Sequence, residues 1–151
     1  MVHLITGVAG FIGSNLAERL LDKSDIVIGI DNFHLGRKEN ISEQLNNPKF
    51  TFIEHDLSDI GQIDALMTKL ENKKIDIIWH LAANSDIQAG IENNIVDLDL
   101  TFKTTFTANE ICKSSSANTF VFSSTSAIYG NLDGKLRENS SPLNPISNYG
   151  A

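Results

Sequence analysis

A glycine-rich turn near the amino terminus has the residue types and spacing that bind phosphates. Residues 6–14 read T-G-V-A-G-F-I-G-S and follow the apolar run of residues 2–5, which predicts a turn between a strand and a helix. Gly7, Gly10 and Gly13 leave room for a tight turn and for a backbone that touches a pyrophosphate at the positive end of the helix. The alternative is that they only make a turn, because the commonest fingerprint has one residue, not two, between its first two glycines.

An acidic residue stands where such a turn requires one. Residues 26–30 predict a second strand, and Asp31 at its end could accept hydrogen bonds from both ribose hydroxyls of an adenosine. The alternative is a solvated loop acid. A 2'-phosphate would meet a like charge at Asp31, so NAD is favoured over NADP. Arg37 and Lys38 follow in the same loop and leave that choice open, because either cation could pair with a phosphate.

Two further polar residues end predicted strands. Asp56 could accept a hydrogen bond from the adenine amino group, or it could cap the helical segment that starts near Asp59. His80 could be a catalyst, but a histidine under a sheet is more often a structural residue with satisfied hydrogen bonds. The small residues after His80 would let the backbone lie against a cofactor.

Several hydroxyl groups follow the fifth predicted strand. Residues 123–130 read S-S-T-S-A-I-Y-G, and Tyr149 comes later in the chain. A tyrosine held beside a hydroxyl and a nicotinamide could accept the proton of an alcohol. Lone tyrosines are usually structural, but the nucleotide motifs make Tyr149 the leading catalytic candidate.

Composition excludes several classes of function. The chain has 151 residues, a net charge of -7 and 41% hydrophobic residues, which predicts one domain with a real core. The acidic balance argues against nucleic acid, and the absence of a signal peptide and of a long apolar run predicts a cytoplasmic protein with no membrane partner. No metal site is predicted. Cys112 is interpreted as a small buried hydrophobe rather than a reactive thiol.

Apolar runs alternate with helical patterns along the whole chain, which is typical of parallel strands joined by crossover helices. The expected fold class is α/β, a Rossmann-type doubly wound parallel sheet with helices on both faces. Residues 147–151 look like the start of a helix rather than a chain end, so residues 1–151 are interpreted as an NAD-binding, amino-terminal piece of a longer protein. The predicted strands are near 2–6, 26–31, 50–55, 75–81 and 119–124, and the predicted helices are 11–22, a weak 39–46, 60–71 and a long one near 92–114.

Together, these motifs resemble the extended short-chain dehydrogenase/reductases, and within them they are most similar to the NAD-dependent nucleotide-sugar epimerase/dehydratase group. The resemblance covers the full length of the chain. Its motifs are T-G-x-x-G-F-I-G from Thr6, D-N-F from Asp31, G-R-K-E-N from Gly36, D-L from Asp56, H-L-A-A from His80, the segment from Ser123 to Gly130, and Y-G-A from Tyr149.

The resemblance implies a set of site residues. Thr125 would be the catalytic hydroxyl and Tyr149 the base, while the lysine that the family places four residues after the tyrosine would lie beyond Ala151. The resemblance also implies that residues 1–151 are the NAD-binding domain and that the substrate domain is absent from them, so this chain alone is not expected to turn over substrate efficiently. The implied cofactor is NAD, bound by Gly7, Gly10, Phe11, Ile12, Gly13, Asp31, Asn32, Asp56, Leu57, Leu81, Ala82, Ala83 and Ser123.

The sequence departs from the family at one helix. Relatives similar to the epimerases have an Asn-x-x-Gly-Thr pattern there, and this chain has T-F-K-T-T from Thr101. Thr101 can still bond a loop backbone, whereas Thr104 in place of glycine makes a close helix contact less certain.

The reaction that the resemblance implies is epimerisation of a nucleotide sugar, with a UDP-hexose oxidised transiently at C4. Dehydratases of the group have an acidic residue just after the active-site threonine, and Ser126 and Ala127 cannot protonate a leaving hydroxyl. The full-length protein is expected to be a homodimer. The alternatives are a dehydratase, decarboxylase or reductase of the same family, an NAD-binding module without turnover, and a structural domain that binds no NAD.

Overall fold

Five strands form one sheet in the computed structural model, which describes residues 1–71, 73–115 and 117–151. The strands are β1 (Val2–Thr6), β2 (Ile26–Asp31), β3 (Phe50–Glu54), β4 (Ile77–His80) and β5 (Thr119–Phe122). Their order is β3-β2-β1-β4-β5, and every neighbouring pair is parallel. The predicted Rossmann-type sheet is confirmed.

The register of the sheet collects the functional segments at one edge. Thr6 pairs with Ile30 on β2 and with His80 on β4, so the carboxyl ends of the three central strands lie side by side. The segments that follow these strands therefore meet at the edge where ligands bind in open α/β sheets.

The helices connect successive strands. Three-residue α4, a π-helical segment and α5 are continuous along the chain. Within the described residues, no helix combines the length and hydrophobicity needed to span a bilayer. The helices are α1 (Phe11–Asp22), α2 (Ile63–Leu70), α3 (Ile87–Glu92), α4 (Ile95–Asp97), the π-helical segment Leu98–Lys103 and α5 (Thr104–Ser115), and short 3-10 turns occur at Lys38–Ile41, Gln44–Asn46, Ile60–Gln62, Ser126–Tyr129 and Asn148–Gly150.

Apolar side chains pack on both faces of the sheet, as expected when helices cover both sides. Neighbouring residues of β1 point to opposite faces, with Leu4 in one core cluster and Ile5 in the other. The Leu4 cluster contains Leu66 and Leu70 of α2 and Ile111 of α5, and half-buried Cys112 packs against it. The Ile5 cluster contains Ala17, Leu20 and Leu21 of α1.

Three predicted helices differ from the structure. The weak helix at 39–46 is wrong, because two 3-10 turns stand there, and Ser42 and Asn46 donate side-chain hydrogen bonds to nearby carbonyls. The long helix begins at Ile95 rather than near 92, since Asn93 is extended and accepts the Ile95 N–H through its side chain at 3.2 Å. The opening at 147–151 is only a 3-10 turn. The other predicted elements are confirmed to within about three residues at their ends.

Candidate functional site

The glycine turn brings β1, α1 and the segment after β4 into backbone contact. Gly7 has a φ of +70°, and a Cβ there would lie 2.9 Å from the Ala82 nitrogen. A Cβ on Gly13 would overlap the Gly7 carbonyl oxygen and lie 2.8 Å from the Val8 Cα. Side chains at these two positions would therefore push the helix away from the strand and fill the space above the turn.

The first turn of α1 offers free backbone donors. The N-cap residue is Gly10, which has no side chain that could cap the helix. The first turn contains no acidic residue. The N–H groups of Phe11, Ile12 and Gly13 donate to no protein acceptor in the described parts of the chain, and the first helical bond closes from Ser14 to Gly10. Free N–H groups and the helix dipole together attract an anion to this point.

Asp31 is fixed at the end of β2 by backbone donors. Its carboxylate accepts the Ala9 N–H at 2.9 Å and the Phe33 N–H at 2.8 Å, and the side chain is buried. A carboxylate has about four lone-pair positions, so two backbone bonds orient the group and leave capacity for a ligand. Arg37 and Lys38 are exposed, and the Arg37 N–H donates to the Ala9 carbonyl at 3.1 Å.

Asp56 follows β3 and makes its own local turn. Its carboxylate accepts the Ser58 N–H at 2.8 Å and the Ser58 hydroxyl at 2.7 Å. Burial works to raise the pKa of Asp56, but the hydrogen bonds from Ser58, with smaller contributions from Asn32 and His34, together hold the pKa below its usual value. The cap of the following helical segment is Asp59, which accepts the Gly61 N–H at 3.1 Å. The capping alternative therefore applies to Asp59 and not to Asp56.

The residues predicted to bind the cofactor line one groove of about 400 Å³, which we call the nucleotide groove. All thirteen of them contribute to its walls, and their role in binding NAD stays a prediction. Sequence reasoning missed further lining residues. Some of these lie beside predicted ones in the chain, whereas Leu100 and Thr104 come from a distant helical segment and have no local signal. The missed residues are Ile30, His34, Leu35, Gly36, His55, Ser85, Leu100 and Thr104.

A second cavity of about 740 Å³ adjoins the nucleotide groove. The predicted catalytic residues Thr125 and Tyr149 both line this second cavity. The Thr125 hydroxyl oxygen accepts the Ala127 N–H at 3.1 Å, which leaves its hydrogen free to donate. Tyr149 lies in a 3-10 turn that the side chain of Ser147 caps. The apolar lining residues include Ile95, Leu98, Phe102, Phe122 and Ile128.

His80 is a satisfied structural histidine. Its Nδ1 lies 2.8 Å from the Thr6 hydroxyl and its Nε2 lies 2.9 Å from the Thr105 hydroxyl. Burial lowers the pKa of His80 to about 4, so the ring is neutral near pH 7. A catalytic role as a proton carrier at neutral pH is therefore not supported.

The helix that departs from the family pattern does approach the segment after β4. The Thr101 hydroxyl oxygen accepts the Asn84 N–H at 3.2 Å, so the predicted bond to a loop backbone is present. The Thr104 hydroxyl lies 3.1 Å from the Ala82 carbonyl oxygen, and Thr104 is buried. The close helix contact, which threonine in place of glycine made less certain, is present, and the Thr104 hydroxyl itself makes it.

The known proteins that match this chain include several UDP-sugar epimerases. An uncharacterised UDP-glucose epimerase of Bacillus subtilis, YtcB, is 39% identical over 165 residues, which cover 99% of this chain and 48% of that protein. The UDP-Glc/GlcNAc 4-epimerase structure from Campylobacter jejuni superimposes with a TM-score of 0.87 at 34% identity, over 99% of this chain and 44% of that one. The structure of the UDP-glucuronic acid 4-epimerase of Bacillus cereus, in complex with UDP-glucuronic acid and NAD, has a TM-score of 0.81 at 32% identity. The match covers 99% of this chain and 48% of that one.

The chain therefore spans about half the length of the curated relatives it matches. The family described as GDP-mannose 4,6 dehydratase matches residues 4–151, which is nearly the whole chain. The chain belongs to this family, within the extended short-chain dehydrogenase/reductases that its motifs resemble.

Proposed function

We propose that the full-length protein is an NAD-dependent nucleotide-sugar epimerase, acting on a UDP-hexose at C4, and that this chain is its NAD-binding part. One observation carries the proposal. The free helix amides and Asp31 share a groove, and the groove adjoins a cavity that Thr125 and Tyr149 line. A cytoplasmic location, which the sequence predicts, belongs to the same proposal.

The residues present fit a dinucleotide. The free N–H groups of α1 suit a pyrophosphate, and Gly7 and Gly13 keep that space open. Asp31 suits the ribose hydroxyls of the adenosine and disfavours a 2'-phosphate, which supports NAD over NADP. Asp56, held by Ser58, is our candidate for the adenine amino group.

The two hydroxyl side chains account for the proton transfer. Tyr149 would remove the proton of the sugar 4-hydroxyl through Thr125, whose own hydrogen is free to bridge them. Bound NAD would accept the hydride from C4 and return it to the other face of the sugar. The family's lysine, expected four residues after the tyrosine, would help Tyr149 to ionise.

Dehydration is the second candidate, because the matching family is described as a dehydratase. Elimination of water requires an acid that protonates the leaving hydroxyl. Ser126 and Ala127 follow the catalytic candidate Thr125, and neither can supply that proton. This difference favours epimerisation over dehydration.

A homodimer is part of the proposal. The resemblance implies a homodimer, and the exposed apolar side chains of Ile91 on α3 and Phe106 on α5, which do not line the second cavity, leave apolar surface for a partner. We expect light scattering to give the mass of a dimer for the full-length protein, and a monomer would remove this part of the proposal.

Calorimetry and turnover test the proposal together. We expect NAD to bind the full-length protein more tightly than NADP. Asp31→Asn should lower NAD affinity about tenfold, since an amide cannot accept both the Ala9 and the Phe33 N–H. Asp22→Asn, on an exposed residue at the end of α1, is the matched control.

The reaction is measured with UDP-galactose and UDP-glucose as substrates. Interconversion of the two supports the epimerase. Loss of water from the sugar would favour the dehydratase, and NAD binding without any turnover would favour the binding module. An intact, folded protein that binds no NAD would overturn the proposal.

A further inference from the structure

The backbone from Leu81 to Asn84 lies where the nucleotide groove meets the second cavity, and we call this segment the wall. Leu81, Ala82 and Ala83 line both spaces, and Asn84 lines the second cavity. A cofactor that extends from the groove into the second cavity would lie against this segment, beside the substrate. The position of the wall therefore affects how closely the reacting groups approach.

Threonine hydroxyls hold the polar groups of the wall. The Thr6 hydroxyl oxygen accepts the Leu81 N–H at 3.1 Å and the Ala82 N–H at 3.2 Å. The Thr101 hydroxyl oxygen accepts the Asn84 N–H at 3.2 Å. The wall is not part of a strand. The Leu81 N–H also donates to the Thr6 carbonyl at 3.2 Å, whereas for Ala82 and Asn84 the hydroxyls take the place of a backbone partner.

Thr104 contacts the wall from the same helical segment as Thr101. Its hydroxyl lies 3.1 Å from the Ala82 carbonyl oxygen, 3.0 Å from that of Leu100 and 2.9 Å from that of Thr101. A hydroxyl has one hydrogen, so these three acceptors share it. Thr101 therefore makes the more specific of the two contacts with the wall.

A chain of hydrogen bonds links these contacts through His80. The Thr6 hydroxyl oxygen already accepts two N–H groups, so its hydrogen goes to Nδ1 of His80 at 2.8 Å. Nε2 of His80 then carries the ring hydrogen and donates to the Thr105 hydroxyl at 2.9 Å. Thr105 donates in turn to the Thr101 carbonyl at 2.8 Å. These hydrogen bonds therefore connect Thr6, which holds Leu81 and Ala82, with Thr101, which holds Asn84.

The helix has an unusual form at this point. Thr101 lies inside the π-helical segment Leu98–Lys103, and Thr104 is the first residue of α5. Such turns are rare in proteins and frequent at functional sites. Leu100 and Thr104 line the nucleotide groove, while Leu98, Thr101 and Phe102 line the second cavity, so this stretch of helix contributes to both spaces.

We infer that Thr101 and Thr104 are positioning residues, whose hydroxyls hold the wall in place where the nucleotide groove meets the second cavity and so set the approach of cofactor to substrate. They act through the backbone of Asn84 and Ala82. The inference rests on the proposed function. Thr101→Val keeps the shape of the side chain but leaves the Asn84 N–H without its acceptor, so the wall would relax away from its functional position.

The test uses the full-length protein with a UDP-hexose substrate. We expect Thr101→Val to lower kcat, and the single-turnover rate at which reduced nicotinamide forms, about tenfold or more, because small misplacements are costly in catalysis. NAD affinity should change less than about threefold, because Thr101 and Asn84 line the second cavity and not the nucleotide groove. KM should change as little, because valine keeps the shape of the side chain in that cavity. Thr101→Ser retains the hydroxyl and should restore most of the rate.

A second pair and a control complete the design. Thr104→Val should lower the rate less than Thr101→Val, and Thr104→Ser should restore it. This pair carries the same test if Thr101→Val does not fold. The control is Thr68→Val on α2, where an exposed threonine donates to the Asp64 carbonyl at 2.9 Å, far from both cavities. Thermal unfolding of each variant separates lost stability from lost rate.

Three results would overturn the inference: an unchanged rate in both valine variants, an equal loss in the serine and valine variants, and a loss of NAD affinity that parallels the loss of rate. A wild-type protein that binds no NAD, or forms no reduced nicotinamide with any nucleotide sugar, would instead overturn the proposed function. The two failures are therefore distinguishable from the wild-type measurements alone.

Discussion

The nucleotide groove and the second cavity share one wall, but different parts of the chain build them. In the groove, the free N–H groups of α1 and the glycines of the first turn make the floor, and the carboxylate of Asp31 is itself fixed by backbone donors. In the second cavity, the candidate groups are the side-chain hydroxyls of Thr125 and Tyr149, which stand on or beside short 3-10 turns.

This difference predicts different sensitivities to mutation. A site made of backbone tolerates many changes of side chain but no added Cβ where two segments touch. A site made of side-chain hydroxyls depends on single oxygen atoms, while its surroundings can vary. Loss of function in the groove should therefore appear as lost binding, and loss in the second cavity as lost rate.

The largest effect is expected for Tyr149→Phe in the full-length protein. Removal of the proposed base should lower kcat by about 10²- to 10⁴-fold, with NAD affinity unchanged, because the hydroxyl lines the second cavity only. Tyr129→Phe is the matched control, since Tyr129 is the other of the two tyrosines and does not line that cavity. Steady-state kinetics and NAD titration measure both. A parallel fall in NAD affinity would break the division between binding and rate.

The next effect compares two glycines of the same turn. Gly13→Ala should lower the free energy of unfolding by about 3 kcal/mol and NAD affinity about 100-fold, because its Cβ would overlap backbone atoms of Gly7 and Val8. Gly10→Ala should do much less, since its Cβ would lie 3.2 Å from a single oxygen atom. Denaturant unfolding and calorimetry check this order, and equal losses in the two variants would contradict it.

The smallest effect concerns stability against pH and involves His80, which lies below the wall. Unfolding restores the ordinary pKa of about 6.5, whereas burial lowers the folded value to about 4. Between these values the unfolded chain binds more protons, so stability falls as the pH drops from about 6.5 towards 4, by about 2 kcal/mol at pH 5, and His80 contributes no slope above that window. His55, whose pKa burial also lowers, adds in the same direction.

Denaturant unfolding at pH 7 and pH 5 measures this slope. His80→Gln should flatten it, because the glutamine has no proton to gain in the unfolded state. A slope that persists in His80→Gln would show that other groups cause it.

Much of the groove could be predicted from the sequence because its signals are local. The glycine turn comes directly after β1, and Asp31 is the last residue of β2. Many of the lining residues likewise lie just after the end of a strand. The helix boundaries near Asn93 and Ser42 were harder, because side-chain hydrogen bonds to nearby backbone override the apolar pattern there. Alternation of apolar residues does not report such bonds.

The pairing of Thr125 with Tyr149 was predicted only through resemblance, although the nucleotide motifs alone already made Tyr149 the leading catalytic candidate. Nothing in the spacing of Thr125 and Tyr149 requires them to share a cavity, although the structure places them in one. The threonine contacts of the wall were largely beyond reach for a physical reason. Thr6 and Thr101 contact the wall from distant parts of the sequence. Their hydrogen bonds therefore exist only after the sheet has formed and the helix has packed on it.

The free amides of α1 have a consequence for salt dependence. This chain, with a net charge of -7, would repel a dinucleotide at long range, and under the proposed function these N–H groups would hold it at short range without lysine or arginine. Fixed dipoles in contact with the ligand are screened little by dissolved ions, whereas the distant repulsion is screened strongly. Added salt would therefore leave the lifetime of the bound cofactor almost constant and speed its arrival, the reverse of what a basic pocket gives.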